Sequence, residues 1–314
     1  MNNAEEPFDK DIRDAFFDGL YEIARQDRHV IFLTADMGAL SLERFKKDLP
    51  SQYINVGVAE QNMVSVAAGL ALAGKKVFVY AIAPFATQRC YDQIKVDVSG
   101  MNLPVTIIGA GPGMTYGSDG PTHHAVLDVA IMRALPGMMI LNPSEAVMAS
   151  RMAGLCYARG GPVYVRIDKG KPPLLYSAEE EFADGLSLIA EGRELLIVAT
   201  GVMVHRALRV AEELKKKSIE AAVVGLYRIK PVNESLFLGY AERYPKIVTL
   251  EEHSLFGGIG SGILEILADH GTGQPVRRLG IGDRYCEGYG DREWMQARYG
   301  LDDPTLMDHI LAWQ

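Results

Sequence analysis

The sequence predicts an α/β fold made of two doubly wound domains, in which helices cover both faces of a mostly parallel sheet. The first observation is that short β-branched runs alternate with amphipathic helical patterns, as expected for parallel strands joined by crossover helices. The second is that this alternation stops at KGKPPLLYSAEEE, Lys169 to Glu181, where a proline pair and charges occur without periodicity. A shorter βα series then follows. We therefore expect a first domain at 1–175, a linker at 176–190 and a smaller domain at 191–314.

The first domain begins with a predicted helix at Ile12 to Gln26, whose apolar residues, including Phe16, Leu20 and Ile23, share one face. Its predicted strands are the six runs HVIFLTAD, QYINVGV, KKVFVYAIA, LPVTIIGAG, GMMILNPS and GPVYVRID. The predicted strands of the second domain are ELLIVATG, AAVVGLYRIKP and KIVTLEEH. A helix is predicted after them, from about Gly260 to Ala268.

Composition excludes several classes of protein. The chain has 314 residues, 48% of them hydrophobic, which is enough for two domains with sizeable cores. Its net charge of −8 is spread along the chain, so we expect neither a nucleic-acid nor a membrane partner. Three cysteines without a CxxC pair indicate neither disulfides nor zinc, and we assign no metal ligand to this chain. Without a secretory leader or a membrane-spanning run, the protein is expected to be cytoplasmic.

The segment VGVAEQNM combines a strand end with a helix whose first turn contains Glu60. Free N–H groups and the positive end of the helix dipole stabilise a carboxylate there, which would make Glu60 a structural helix-start residue. The alternative is functional, because ligands of open α/β sheets bind beyond the carboxyl ends of the strands. Spacing alone favours the structural interpretation.

The segment IIGAGPGMTYGSDGPTHH, Ile107 to His124, brings five glycines together with Asp119, His123 and His124. Glycines allow the backbone to approach a ligand closely. A dinucleotide fingerprint is a weak match, because Met114 stands at the position of its last glycine. The histidines have two interpretations, as loop-packing residues or as functional ones; adjacent histidines do not easily share one metal ion.

The segment EEHSLFGGIGSGILEIL, Glu251 to Leu267, places a glycine run before a helix. It could bind an anion at the helix start, but a tight strand-to-helix connection is the favoured interpretation. We expect Glu251, Glu252 and His253 to pack or cap at a domain boundary.

Five segments, taken together, resemble the C-terminal half of thiamine-diphosphate enzymes of the transketolase and 1-deoxyxylulose-5-phosphate synthase family. The resemblance extends from about residue 10 to the end of the chain. The segments are VGVAEQNMVSVAAGLALAG, AIAPFATQRCYDQIKVDV, YGSDGPTHHAVLDVAIMRALPGMMILNPSE, GPVYVRIDKG and EEHSLFGGIGSGILEIL. The resemblance implies a pyrimidine-binding domain followed by a transketolase C-terminal-like domain.

The resemblance implies cofactor-binding roles for three residues. Glu60 matches the glutamate that hydrogen-bonds N1′ of the aminopyrimidine, so that the 4′ nitrogen can remove the C2 proton of the thiazolium. Burial favours the protonated form of a carboxyl group, which can then share a proton with a weakly basic ring nitrogen. Phe85 is the candidate for stacking on the pyrimidine, with Tyr80 as the alternative. Asp36, at the end of a strand, is expected to face the cofactor.

It also implies substrate-binding roles. Asp119 and His123 match the family's DGxTH motif, whose members reach the substrate hydroxyls and the reaction intermediate. His124 lies one place beyond, where relatives often carry Gln. Arg166 matches an arginine that binds the substrate phosphate, a bidentate task suited to guanidinium. The residues at 110–114 depart from the family, because neither its phosphate-contacting histidine nor its phosphate-contacting arginine is present.

The family holds the diphosphate through Mg²⁺ with a GDG motif and a later Asn pair, and this chain contains no GDG. The resemblance therefore implies a C-terminal subunit whose N-terminal partner supplies that site, most simply as α2β2. The implied reaction is transfer of a two-carbon ketol unit between sugar phosphates or related compounds. Two alternatives stay open: the β subunit of a 2-oxo acid dehydrogenase and, more remotely, a non-catalytic nucleotide-binding or scaffold protein.

Overall fold

The computed structural model describes residues 9–313, so the first eight residues of the predicted first domain and Gln314 lie outside the described chain. The described chain divides into two compact units. The first contains the residues up to Gly111 together with Ala134–Ala183, and the second contains Pro112–Arg133 together with the residues from Asp184 onward. No helix within residues 9–313 is long and apolar enough to span a membrane.

Strands and helices alternate along most of the chain. The strands are β1 Val30–Thr34, β2 Tyr53–Asn55, β3 Lys76–Ile82, β4 Val105–Ala110, β5 Met139–Leu141, β6 Val163–Ile167, β7 Leu186–Ala190, β8 Leu195–Ala199, β9 Ala221–Leu226, β10 Arg228–Lys230, β11 Ile247–Ser254 and β12 Val276–Ile281. The helices are α1 Ile12–Gln26, α2 Leu42–Asp48, α3 Glu60–Leu72, α4 Ala83–Ala86, α5 Tyr91–Gln93, α6 Asp128–Arg133, α7 Ala146–Ala158, α8 Met203–Lys215, α9 Glu234–Ala241, α10 Ile259–Asp269, α11 Arg292–Arg298 and α12 Asp303–Leu311. The predicted α/β class is confirmed, and so are all six predicted strands of the first domain.

The sheet of the first unit has its six strands in the order β5-β6-β4-β3-β1-β2, and every pair among them is parallel. Strands β1, β4 and β6 are buried along their whole length. Parallel strands covered on both faces are continuously apolar, which explains their Val- and Ile-rich sequences. All their carboxyl ends meet at one edge of the sheet.

Helix α1 has the predicted bounds to the residue. Its start is defined by Asp11, whose carboxylate accepts a hydrogen bond from the backbone N–H of Arg13 at 2.9 Å. Phe16 and Leu20 are fully buried, as the one-face pattern predicts. At the far end the Asp27 backbone N–H donates to Ile23 O.

The second unit contains a five-stranded sheet in the order β12-β11-β8-β9-β7. Only β7 is antiparallel, pairing with β9. Neither edge strand was predicted: β7 falls within the predicted linker at 176–190, and β12 has the sequence VRRLGI. Both have partly exposed faces, so they lack the continuous apolar run of central strands.

The segment Pro112–Arg133 packs with the second unit, although the sequence suggested a first domain at 1–175. Ser254 N donates to Val126 O at 2.8 Å, and Ala130 N lies 3.4 Å from the His253 ring. The segment contains one short α-helix, α6. These contacts join residues more than 120 positions apart, which no local pattern reports.

Candidate active site

Glu60 is the first residue of α3, and it lies beyond the carboxyl end of β2. It is 5% exposed. No side chain caps this helix start. Glu145 provides a contrast, because its carboxylate accepts hydrogen bonds from Val147 N at 2.8 Å and Met148 N at 2.9 Å at the start of α7. Glu60 therefore makes no capping hydrogen bond, although it keeps the first-turn position in which the helix dipole stabilises a carboxylate.

The Glu60 carboxylate is paired with Arg89. Arg89 Nη1 donates to Glu60 Oε2 at 2.9 Å, and the Arg89 guanidinium carbon lies 4.3 Å from the centroid of the Phe85 ring. The side chain of Arg89 is 45% exposed, against 6% for Glu60. The sequence reasoning missed Arg89. The one available signal was its spacing, four residues after Phe85 in the turn between α4 and α5.

The structure favours Phe85 over Tyr80 as the ring available for stacking. Phe85 is half-buried in α4 and has Arg89 over its face. Tyr80 is fully buried, and its ring centroid lies 4.8 Å from that of Phe17 and 6.2 Å from that of Phe32. Tyr80 is thus part of the aromatic core.

The Cys90 thiol lies against the backbone of Phe85. Cys90 Sγ donates to the backbone carbonyl of Phe85 at 3.1 Å. Burial raises the pKa of the Cys90 thiol to about 12, and the neighbouring Glu60 carboxylate contributes to the increase. The thiol is therefore protonated at neutral pH and acts as a packing group.

Asp36 lies just after β1, with a φ of +55° that aspartate tolerates better than most residues. Its backbone N–H donates to Asn55 Oδ1 at 3.0 Å, and Asn55 Nδ2 donates to Asp36 Oδ1 at 3.1 Å. The same Asn55 oxygen accepts from Gly57 N at 3.0 Å. Asn55 thereby ties the end of β1 to the turn that leads into Glu60, and the Asp36 side chain is exposed.

Arg166 lies on β6, opposite Gly109 of β4. It is 3% exposed, which is rare for arginine and requires polar partners.

The other predicted residues lie in the second unit, on a loop between Gly113 and Ala125. Two hydrogen bonds close the loop, from Gly113 N to Ala125 O at 3.0 Å and from Ala125 N to Gly113 O at 2.8 Å. Asp119 is exposed, and His123 is half-buried with its Nδ1 3.0 Å from Thr122 Oγ1. These two side chains are accessible to a ligand.

The base of this loop is anchored by Glu252. Glu252 Oε1 accepts from Met114 N at 3.1 Å, and Arg292 Nε donates to Glu252 Oε2 at 3.0 Å. Glu252 is 1% exposed, and the exposed fraction of the Arg292 side chain is 21%. The loop thus starts from a buried, charge-paired anchor.

His124 differs from its neighbour. It is 4% exposed, and backbone groups of Cys286 and Gly117 are hydrogen-bonding neighbours of its ring within residues 9–313. Burial lowers the pKa of the imidazole, against a smaller opposing effect of backbone groups at Cys286 and Gly117. His124 is therefore a neutral, buried imidazole.

The glycine-rich start of α10 binds its own carboxylate. Glu251 Oε2 accepts from Ile259 N at 2.8 Å, and Glu251 Oε1 accepts from Gly260 N at 2.9 Å. A Cβ at Gly258 would collide with this carboxylate, so glycine is required for the close approach. The favoured interpretation, a strand-to-helix connection with a capping residue, is confirmed. Within the described chain, no cluster of three or more His, Cys, Asp or Glu could hold a metal ion.

Two family models match the chain. The model "Transketolase, pyrimidine binding domain" matches residues 9–173, and "Transketolase, C-terminal domain" matches residues 186–305.

Similar proteins carry related names. The chain is 38% identical to an apulose-4-phosphate transketolase subunit of Phocaeicola vulgatus, over 92% of this chain and 93% of that protein. It is also 38% identical to the 6-deoxy-6-sulfo-D-fructose transketolase subunit SqwH of Clostridium sp. (strain MSTE9), over 92% of this chain and 90% of that protein. Among solved structures, a split-gene transketolase described as an inactive β4 tetramer is 30% identical and superposes with a TM-score of 0.88, covering 96% of this chain and 98% of that one.

Proposed function

The chain belongs to the transketolase family, as the part that carries the pyrimidine-binding and C-terminal domains, and we propose that it is one subunit of a split transketolase. The proposed reaction is transfer of a two-carbon ketol unit between sugar phosphates or related compounds. The proposed cofactor is thiamine diphosphate with Mg²⁺.

One observation carries the proposal: a buried carboxylate at a helix start is hydrogen-bonded to a planar cation that is stacked on a phenyl ring. Glu60 accepts an N–H bond from the Arg89 guanidinium, which lies over Phe85. An aminopyrimidine needs the same two partners, an acceptor for a ring N–H and a flat apolar face. The residues at this position therefore fit the pyrimidine end of the cofactor.

When bound, thiamine diphosphate supplies the nucleophilic carbon that takes up the ketol unit. This chain's residues supply orientation and proton transfer. Glu60 shares a proton with N1′, in a buried position where water competes little for that hydrogen bond. Phe85 stacks on the ring, and Asp36 binds the cofactor from the adjacent strand end.

Asp119 and His123 are the proposed contacts to donor hydroxyl groups, because both side chains are accessible at the loop surface. His124, buried and neutral, is the proposed boundary of that site. The two named relatives have substrates with an anionic end, a phosphate in one name and a sulfonate in the other. We propose that Arg166 binds such a group here.

We propose that a separate N-terminal subunit, carrying the GDG and Asn-pair motif, binds the diphosphate and Mg²⁺ in an α2β2 assembly. One finding that supports this is that the two named relatives are themselves called subunits. A similar protein described as a tetramer of β chains alone is inactive, which suggests that this chain also needs its partner.

The test is calorimetric titration of thiamine diphosphate and Mg²⁺ into this chain alone and into its complex with the partner. Binding only by the complex is expected. Glu60→Gln in the complex should lower turnover at least a hundredfold, while Glu43→Gln, an exposed glutamate also in the first turn of a helix, should leave it unchanged. A Glu60→Gln enzyme within about tenfold of wild type, about 1.4 kcal/mol in the barrier, would contradict the proposal.

A donor screen tests the reaction itself. A ketose phosphate should support turnover in the presence of an aldose acceptor, whereas pyruvate with a lipoyl acceptor should not. Activity confined to pyruvate would instead indicate a 2-oxo acid dehydrogenase subunit.

A further inference from the structure

We infer that Arg89 covers the pyrimidine half-site and competes with the cofactor for Glu60 and Phe85, so that the cofactor binds only after the guanidinium has moved away. This inference rests on the proposed function and adds a competing residue to it.

The first step of the argument is the identity of the contacts. Arg89 Nη1 donates to Glu60 Oε2 at 2.9 Å, and the guanidinium lies 4.3 Å from the Phe85 centroid. These are the acceptor and the ring face that the proposed function assigns to the pyrimidine. A planar group stacked on that face and bonded to that oxygen excludes a second one, because both would occupy the same volume.

The second step is access. The side chain of Glu60 is only 6% exposed while Arg89 bonds to it, whereas Arg89 itself is 45% exposed. A molecule in solvent therefore reaches Glu60 Oε2 from the side on which the Arg89 guanidinium lies. A ligand that approaches Glu60 from that side meets Arg89 first.

The third step is that Arg89 can leave at low cost. Its side chain bonds to Glu60 and lies over Phe85, and its charge is already hydrated in part. Because Arg89 is half exposed, water screens its ion pair and its cation–π contact on the Arg89 side, and both contacts are weak there. The paired state is thus stable enough to slow binding and weak enough to be displaced.

If Arg89 competes with the cofactor, the direction in which its removal changes cofactor affinity can be predicted. Removing Arg89 should tighten thiamine diphosphate binding, by about threefold to tenfold for a contact of this strength. The change should lie in the association rate, because Arg89 acts before the cofactor is bound. A residue that touches the bound cofactor or holds Glu60 in place would give the opposite sign.

The experiment measures thiamine diphosphate affinity of the assembled complex by calorimetry at saturating Mg²⁺, with association and dissociation rates by stopped flow. The test variant is Arg89→Met, which keeps the chain length and removes the charge. The matched control is Arg44→Met, because Arg44 is 51% exposed and lies 4.1 Å from the Tyr21 centroid with carboxylates nearby. Arg89→Lys, which keeps the charge but loses the flat face, should tighten binding less.

Tighter binding and faster association for Arg89→Met, with an unchanged dissociation rate and an unchanged Arg44→Met control, is the expected result. In a Glu60→Gln background the gain should shrink, because the neutral amide no longer holds the guanidinium. Unchanged or weaker binding in Arg89→Met would overturn the inference. If Arg89→Met fails to assemble, the same comparison is made with Arg89→Lys. A wild-type complex that does not bind thiamine diphosphate would instead refute the proposed function, and the inference with it.

Discussion

Replacing Glu252 by Gln should loosen the loop that carries Asp119 and His123 without unfolding the chain. Glu252 is 1% exposed and is the acceptor for the Met114 backbone N–H, at 3.1 Å. It is also the carboxylate partner of Arg292, with Nε at 3.0 Å. The amide keeps an oxygen for Met114 but removes the charge and turns an N–H₂ group toward the guanidinium.

The size of the effect follows from the burial of the two partners. Breaking a fully buried ion pair costs about 3–5 kcal/mol, and a hydrogen bond to a charged group contributes about 1.5–3 kcal/mol. Arg292 is 21% exposed, so water replaces part of what it loses. We therefore expect Glu252→Gln to destabilise the loop by roughly 2–3 kcal/mol.

Hydrogen exchange measures this locally. The amide of Met114 and those of the closed loop should exchange about thirtyfold to a hundredfold faster, since each factor of ten corresponds to about 1.4 kcal/mol. Glu251→Gln is the control, because that neighbouring carboxylate is equally buried but caps α10. If Glu252→Gln, like the control, leaves hydrogen exchange at Met114 unchanged, Glu252 does not anchor the loop and the reasoning fails.

Three further predictions concern the same regions. Gly113→Ala should destabilise the chain by roughly 3–4 kcal/mol, because φ is +61° and the new Cβ would lie 2.5 Å from Glu252. Gly271→Ala is the control, since Gly271 has a φ of +67° but no atom within 4 Å of the new Cβ. In the same denaturant titration it should show only the conformational cost, about 1–2 kcal/mol. The free energy of unfolding should fall as pH decreases below 6.5, because the pKa of buried His124 is lowered and the unfolded chain binds the proton more strongly. His124→Gln should reduce this pH dependence. If the pH dependence is unchanged in His124→Gln, it comes from other groups. Cys90, with a pKa of about 12, should have about a thousandfold less thiolate than a free thiol and resist iodoacetamide at pH 8 until the chain is unfolded.

Local patterns account for the central elements and not for the edges. Helix α1 was predicted to the residue, because its apolar face is regular and Asp11 marks its start. Strand β12 was missed, since VRRLGI alternates exposed arginines with apolar residues at the edge of a sheet. The affiliation of residues 112–133 with the second unit was also missed, because contacts such as that between Met114 and Glu252 join positions 138 apart.

The candidate site shows the same division. Glu60, Phe85 and the DGPTHH residues were predicted because each belongs to a contiguous motif through which the chain resembles the family. Arg89 was not, although it stands in the same segment as Phe85. Its significance depends on a contact with Glu60, 29 residues earlier, which forms because the turn after α4 lies beside the start of α3.

Glu60 and Glu145 look alike in sequence, each a glutamate at the start of a helix, but their backbone positions differ. Glu145 is the N-cap residue, with extended backbone (φ −163°, ψ 178°), so its side chain folds back onto two free N–H groups. Glu60 is already the first helical residue, and its carboxylate instead meets Arg89. Position relative to the cap therefore decides whether such a carboxylate caps the free N–H groups of the helix or remains available to another partner.

This difference predicts opposite stability effects. Glu145→Gln should lower the free energy of unfolding by roughly 1–2 kcal/mol, because the buried cap loses a charge-assisted acceptor. Glu60→Gln should change it by less than about 0.5 kcal/mol or raise it, since a buried carboxylate is exchanged for a neutral group and its partner is half exposed. Denaturant titration of the two variants measures both values. A loss at Glu60 as large as that at Glu145 would mean that Glu60 is retained for the fold, whereas a neutral or stabilising change leaves ligand binding as the reason for a buried charge at this position.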